Sequence, residues 1–156
     1  MNRLLSERAL RAIIYAPTAL LLTLTWGFGA IGKLSAGGVP EWFSGMFAKT
    51  FLASFPGLPA SFYSIALLEA LAALVALGSL LRGEFVRAVR PALLQGAIAL
   101  SLLLFVQLSF GKQLLADFDG SHDLFMYFAG TLVMFAIVRS LDAQAPSRQA
   151  SLGGDR

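Results

Sequence analysis

Apolar residues along the chain gather into four long stretches, about 12–34, 63–81, 92–110 and 124–141, parted by short polar segments and one long one. Each is close to the roughly 20 helical residues that cross about 30 Å of hydrocarbon. A segment in lipid must satisfy its own backbone hydrogen bonds, so each is predicted to be a helix and not a strand. The expected fold class is an all-α polytopic membrane protein, a single four-helix bundle over 1–142 whose even number of crossings returns the chain to its starting side. The remainder, 143–156, carries too little apolar content to pack and is predicted to be a disordered tail.

The long polar break, 35–62, holds Pro40, Pro56 and Pro59 and many aromatics. From Pro40, a residue suited to a helix start, large apolar residues from Trp42 to Phe55 alternate with Ser44, Lys49, Thr50 and Ser54. This predicts a short interfacial helix in the outer loop between the first two spans, with Trp42 at headgroup depth, and the same helix can cap the bundle.

Helical steps of about 100° assign faces within the spans. In the second, Ala66, Glu69, Ala72, Ala73 and Ala76 share one stripe, and Leu67, Leu68, Leu71, Leu74 and Val75 point the other way. Helix interfaces in lipid select small and hydrogen-bonding residues, so the alanine stripe is predicted to face inward. The matching stripes are Thr18, Thr25, Gly29 and Gly32 in the first span and Asp123, Tyr127, Gly130, Thr131 and Met134 in the fourth. Glu69 stands out, because an ionisable side chain inside an apolar helix is costly unless paired, neutralised or hydrated. Lys33 closes the outer end of the first span and Tyr127 lies one turn below the outer end of the fourth. The expected ligand-binding site is therefore Glu69, Tyr127, Lys33 and Thr131. Against it stand the plainer expectation that Glu69 only joins helices through Tyr127 or Thr131, and a third reading in which it handles protons.

Other polar residues are read structurally. Gln95 and Gln107 lie near opposite ends of the third span and are expected to make interhelical bonds. Near His122, the acidic run Asp117–Asp123 lacks the length of a calcium loop, and Ser121 or Asp123 is expected to cap the fourth helix. Gly27, Gly29 and Gly32 sit inside a span with no preceding strand, so they serve close packing and not nucleotide binding.

Charge adds orientation. All nine arginines, from Arg3, Arg8 and Arg11 through Arg82, Arg87 and Arg90 to Arg139, Arg148 and Arg156, flank the same side of the four spans. The other side carries Lys33, Lys49 and Lys112 with Glu41, Asp117, Asp119 and Asp123. Under the positive-inside rule both termini are expected to be cytoplasmic, in a bacterial-type inner membrane. The first apolar run exceeds a signal-peptide core and lacks a small-x-small cleavage site, so an uncleaved first helix is expected.

Composition then narrows the chemistry. The chain is 57% hydrophobic and 13% charged, against roughly a quarter charged in soluble domains. A net charge of +3 could suit nucleic acid, but no aromatic-basic binding motif accompanies it, and no nucleic-acid partner is expected. Without cysteine, and with His122 as its one histidine, the chain cannot by itself supply thiolate chemistry, a bis-histidine haem site or a multi-histidine metal centre. No metal site and no cofactor bound by this chain alone are expected.

The end of the first span, Gly29-Ala30-Ile31-Gly32-Lys33-Leu34, then Gly57-Leu58-Pro59, then Leu68-Glu69 leading to Leu77-Gly78 and Arg82, resembles the DoxX-like membrane proteins. Ser140-Leu141-Asp142 after the fourth span does so too, and the resemblance covers about 12–142. The glycine-rich turn that often precedes Ser-Leu-Asp in that family is replaced by Ala136-Ile137-Val138-Arg139. The resemblance implies a four-helix bundle related to the small subunit of terminal or thiosulfate-linked quinol-oxidising complexes. The function it leads us to expect is an accessory subunit of a quinone-linked redox complex, with other membrane subunits as partners and quinone as a possible ligand. The alternative is a protein that binds or transports a quinone-like amphiphile in a polar pocket around Glu69. A stand-alone enzyme ranks below both, since no nucleophile, base and orienting group form a set.

Overall fold

A computed structural model describes the backbone of residues 2–54, 57–86 and 90–153, and side chains within 9–54, 57–86 and 90–143. The elements run α1 (Asn2–Leu34), α2 (Glu41–Met46), a 3₁₀ turn (Phe51–Ser54), α3 (Gly57–Arg82), α4 (Ala92–Leu114) and α5 (Phe118–Gly153). Among the described residues there is no strand. Four helices are long and apolar enough to cross a membrane, over Ala9–Leu34, Gly57–Arg82, Ala92–Leu114 and Phe118–Ala143. The chain is a multi-pass, four-helix membrane protein.

Several helices outrun the expected spans. The second begins at Gly57 and not near 63, because Pro59 falls in its first turn, where an N–H has no intrahelical partner to lose. The fourth begins at Phe118 because Asp117 caps it: the Gly120 N–H donates to Asp117 Oδ1 at 2.9 Å. Ser121 and Asp123, the expected caps, lie inside the helix, where the Ser121 hydroxyl donates back to the Asp117 carbonyl. At the other end α5 continues to Gly153, through the polar segment expected to be disordered. Ala143, Gln144, Ala145, Arg148 and Ala150 of that segment are good helix formers, although Pro146 stands among them.

Helix α3 is the centre of the array, packed against α1 on one side and α4 on the other, with α5 resting on α4. The sequence explains this position. Ala66, Ala72 and Ala76 are wholly buried and Ala73 nearly so, and such small side chains let two neighbours approach closely. An ideal Cβ on Gly27 of α1 would lie 3.8 Å from Ala73 Cβ. Leu67, Leu71 and Leu74 are exposed on the opposite face. Tyr15, Leu22 and Trp26 of α1 and Leu94, Ile98 and Leu104 of α4 complete the core.

The two ends of the bundle differ in chemistry. At the arginine end, Arg11 donates to the Leu141 carbonyl at 2.9 Å and the Tyr15 hydroxyl to the Val138 carbonyl at 3.3 Å, joining α1 to α5. Gln95 donates to Asp142 at 3.1 Å, so it does bridge helices as expected, and Arg90 sits 3.6 Å from the same carboxylate. Gln107 bridges likewise, to the Ser64 hydroxyl of α3. At the lysine end, the segment after Pro40 is helical only to Met46. Beyond it the Thr50 and Ser54 hydroxyls donate to the Phe47 and Phe51 carbonyls, at 2.8 and 2.7 Å, and hold tight turns instead. Phe43, Phe47, Leu52 and Phe62 form a second small core there, and Phe47 reaches α4 within 3.5 Å of where a Cβ on Gly111 would lie. The segment thus packs as a cap over the end of the bundle.

Candidate functional site

The site grows from one unfavourable placement. Glu69 is 3% exposed on the α1-facing side of α3, where an unpaired carboxylate costs several kcal/mol. Lys33 relieves it: Nζ lies 2.8 Å from Oε1 and 2.9 Å from Oε2, so one ammonium spans both oxygens. The side chains are 23% and 5% exposed respectively, so the acid is sealed in and the ammonium is the member of the pair that reaches outward. Lysine enters from the last turn of α1, near the helix C-terminus, where a cation is also favoured by the helix dipole.

Gly29 makes room for the pair. A Cβ on this residue would lie 3.0 Å from Cδ, Oε1 and Oε2 of Glu69, so the carboxylate occupies the space a side chain would take. Gly29 and Lys33 are one turn apart on α1, and both line an open groove of about 460 Å³. Its walls include Phe28 and Trp42, which are 73% and 61% exposed, and the buried ring of Phe62. Lys33 is the one charged group of the lining, and Glu69 stands behind it, outside the groove. An ammonium has three N–H donors. The two contacts of Lys33 in the structure are both with Glu69, and its side chain also lines the groove.

The expected quartet is only half assembled. Lys33 and Glu69 meet, whereas Tyr127 and Thr131 belong elsewhere. Tyr127 is 60% exposed and its ring packs toward Phe105, 6.2 Å between centroids. Thr131 is buried, but its hydroxyl donates at 2.8 Å to the Tyr127 carbonyl of its own helix. The physical reason is helix order: α5 lies against α4, and α4 stands between it and α3. The stripes on α1 and α5 are likewise only partly inward. Thr18 is buried and Gly29 faces Glu69, while Thr25, Gly32 and Gly130 are exposed.

Three polar groups that the sequence pattern left unmarked are buried and fully partnered. Glu84, 4% exposed, accepts from the Ser79 hydroxyl at 2.8 Å and from the Leu93 and Leu94 N–H groups at 3.1 and 3.0 Å. It caps α4 from eight residues upstream of Ala92, too far for a capping motif to reveal. Trp26 Nε1 donates to Ser101 Oγ at 2.7 Å in the middle of the core, and its ring packs on Phe105 with centroids 5.3 Å apart. A tryptophan and a serine in separate apolar spans carry no spacing that links them.

No family model, no curated protein and no solved structure matches the chain.

Proposed function

We propose that this protein binds the polar head of a membrane amphiphile, with the head at Lys33 and the apolar body along Phe28, Trp42 and Phe62. The observation that carries the reading is the groove itself, a largely apolar, aromatic-walled opening whose one charged lining group is Lys33. Small-molecule sites are mostly apolar with a few placed polar groups, and this groove has that make-up. A quinone-like head, with carbonyl acceptors on a flat ring, satisfies the same requirements. In this reading the arginine end is cytoplasmic, which sets the groove at the outer face of an inner membrane.

The test uses the tryptophan fluorescence of detergent-solubilised protein, in which Trp42 is exposed and Trp26 buried, titrated with amphiphiles brominated near the head. Saturable quenching is expected for the native chain. It is expected to fall at least tenfold in affinity in the double variant Lys33→Met, Glu69→Gln, which removes both charges and nearly keeps both shapes. Equal binding by the two proteins, with matched thermal stability, places the amphiphile elsewhere and defeats the proposal.

A second reading, an accessory subunit of a membrane redox complex, is favoured by a different region. Of the four spans α5 is the least covered by its own chain, and it turns Phe125, Tyr127 and Val133 outward. Tryptophan and tyrosine are common at both membrane and subunit interfaces. Pull-down from native membrane in mild detergent is expected to recover a haem- or flavin-containing partner, and Gly130→Trp is expected to prevent it. A homogeneous, partner-free preparation that retains amphiphile binding decides for the first reading alone.

A further inference from the structure

The two ends of the bundle differ in how far their cations are balanced. At the lysine end, Lys33 and Lys112 each meet a carboxylate, at 2.8 and 2.6 Å. At the arginine end, the described arginine side chains are those of Arg11, Arg82, Arg90 and Arg139, and the described acids are Glu84 and Asp142. Glu84 is held by a hydroxyl and two backbone N–H groups, so among the described residues Asp142 is the one acid that pairs with an arginine there. From this imbalance we propose that the arginine end carries a binding site for the head of an anionic phospholipid, formed by Arg90 and Arg139 on either side of Asp142. The site is separate from the groove at Lys33 and does not rest on it.

The site stands on the last turns of the apolar part of α5. Asp142 looks toward α4, where its carboxylate accepts from Gln95 Nε2 at 3.1 Å, and its side chain is only 20% exposed. Arg90, just ahead of α4, approaches the same carboxylate through Nε at 3.6 Å, which is longer than a hydrogen bond, and its side chain is 69% exposed. The acid steadies this guanidinium from one edge and leaves most of the side chain open. Arg139 stands three residues before Asp142 and so on the adjoining part of the helix surface. It is exposed, no carboxylate among the described residues pairs with it, and its guanidinium carbon lies 6.0 Å from the centre of the Phe135 ring. On the other flank Arg11 of α1 donates to the Leu141 carbonyl. Three guanidiniums therefore gather about residues 139–142 with a single carboxylate among them, and that carboxylate is turned inward.

Position selects a lipid among the anions that such a cluster attracts. A guanidinium presents a planar fork of donors that matches the oxygens of a phosphate. Arg139 falls in the last turns of a helix apolar enough to cross the membrane, at the level where arginine meets lipid heads. One and two turns back on its own face, Ala136 and Leu132 are exposed, so a head held at Arg139 lays its chain along an apolar track. A soluble anion has use for the charges but not for the track. Basic pockets between spanning helices at a membrane surface hold anionic lipid heads on this principle. A zwitterionic head brings its own cation to the same arginines and loses the advantage.

The experiment follows thermal unfolding of the full chain in neutral detergent at low salt, titrated with phosphatidylglycerol, with phosphatidylcholine of the same chains, or with glycerophosphate, which has the head without the chains. A ligand of the folded state raises the melting temperature as it saturates. Phosphatidylglycerol is expected to reach its half-maximal shift at a concentration lower than phosphatidylcholine by about fivefold for each arginine engaged, and the preference should shrink as salt is added. Arg90→Gln with Arg139→Gln is expected to abolish the preference. Arg90→Lys with Arg139→Lys should keep much of it, and Lys33→Met with Glu69→Gln, at the other end, should keep all of it. Equal response of the native chain to the two lipids overturns the proposal. So does a preference that survives in the double glutamine variant, or one that disappears with the Lys33 and Glu69 charges. A shift by glycerophosphate equal to that by phosphatidylglycerol at the same concentration overturns the lipid assignment in favour of a soluble anion.

Discussion

Glu69, at the middle of α3, and Glu84, two residues past its end, are both almost fully buried, at 3% and 4% exposure, yet they are held by different kinds of partner. Glu84 is enclosed by neutral donors that belong to the fold, a serine hydroxyl and the first free N–H groups of α4. Those donors have no alternative acceptor, so the contact is permanent while the helix exists. Glu69 is held by one flexible lysine whose other side opens on a groove. Burial by itself does not tell the two acids apart; the partner does, fixed donors of the fold for Glu84 and a single side-chain cation beside an opening for Glu69.

The sharpest way to break this contrast is to remove the structural acid. Glu84→Leu strands two backbone donors and a hydroxyl and deletes a helix cap, at a cost of about 2–4 kcal/mol. Thermal unfolding followed by circular dichroism should show it, with tryptophan quenching unchanged in the folded fraction. A loss below about 0.5 kcal/mol would mean that water replaces the carboxylate and that the enclosure is not structural.

A smaller effect is expected from Gly29→Ala, whose Cβ would stand 3.0 Å from the Glu69 carboxyl group. Displacing a packed side chain costs about 1–3 kcal/mol, and here the displacement should also weaken amphiphile binding. Gly130→Ala, with nothing within 4 Å of the added methyl, is the control: it should gain about 0.5–1 kcal/mol from helix propensity and leave binding unchanged.

The two short turns provide a finer comparison, because each uses the same device. Gly83 and Ala116 have φ of +66° and +53° just past the ends of α3 and α4. In each case the next residue closes the helix with an N–H bond five residues back, Glu84 to the Ser79 carbonyl and Asp117 to that of Lys112. That next residue is also the acid that caps the following helix. Ala116 bears the steric penalty that glycine avoids, so Ala116→Gly should stabilise the protein by about 0.5–1 kcal/mol and Gly83→Ala should destabilise it by a similar amount. Guanidine or thermal unfolding of both variants measures the pair of opposite signs.

Asp117 marks the weakest limb. The Lys112 ammonium and then the Gly120 N–H hold its carboxyl below the usual range. A lowered folded-state pKa gives stability that is present above the unfolded value, about 4, and lost as pH falls through the folded one. Asp117→Asn should therefore lower the melting temperature slightly at neutral pH and, by the same amount, remove the shallow acid-side decline. An unchanged decline assigns it to other carboxylates.

Some of this was legible before any coordinates. The apolar periodicity gave the four spans, the alanine stripe gave the inward face of α3, and the cost of an acid in lipid singled out Glu69 and its cation, Lys33. Tyr127 and Thr131 were drawn into the same site by face alone. A stripe says which way a helix looks and not which helix looks back. Trp42 was read for its depth and turns out to wall the groove, while Glu84, hidden among arginines and distant in sequence from the helix it caps, had no local signature.

Span, face and the gathering of arginine at one end are properties of each segment and its solvent, and they follow from period, length and the cost of polar groups in hydrocarbon. The order of helices around the bundle is not such a property. Between apolar faces in lipid there is little hydrophobic preference for one neighbour over another, so close packing had to set α4 between α3 and α5. That placement parted Tyr127 from Glu69, left Lys33 bridging a buried acid and an open groove, and brought Glu84 beneath the first turn of α4.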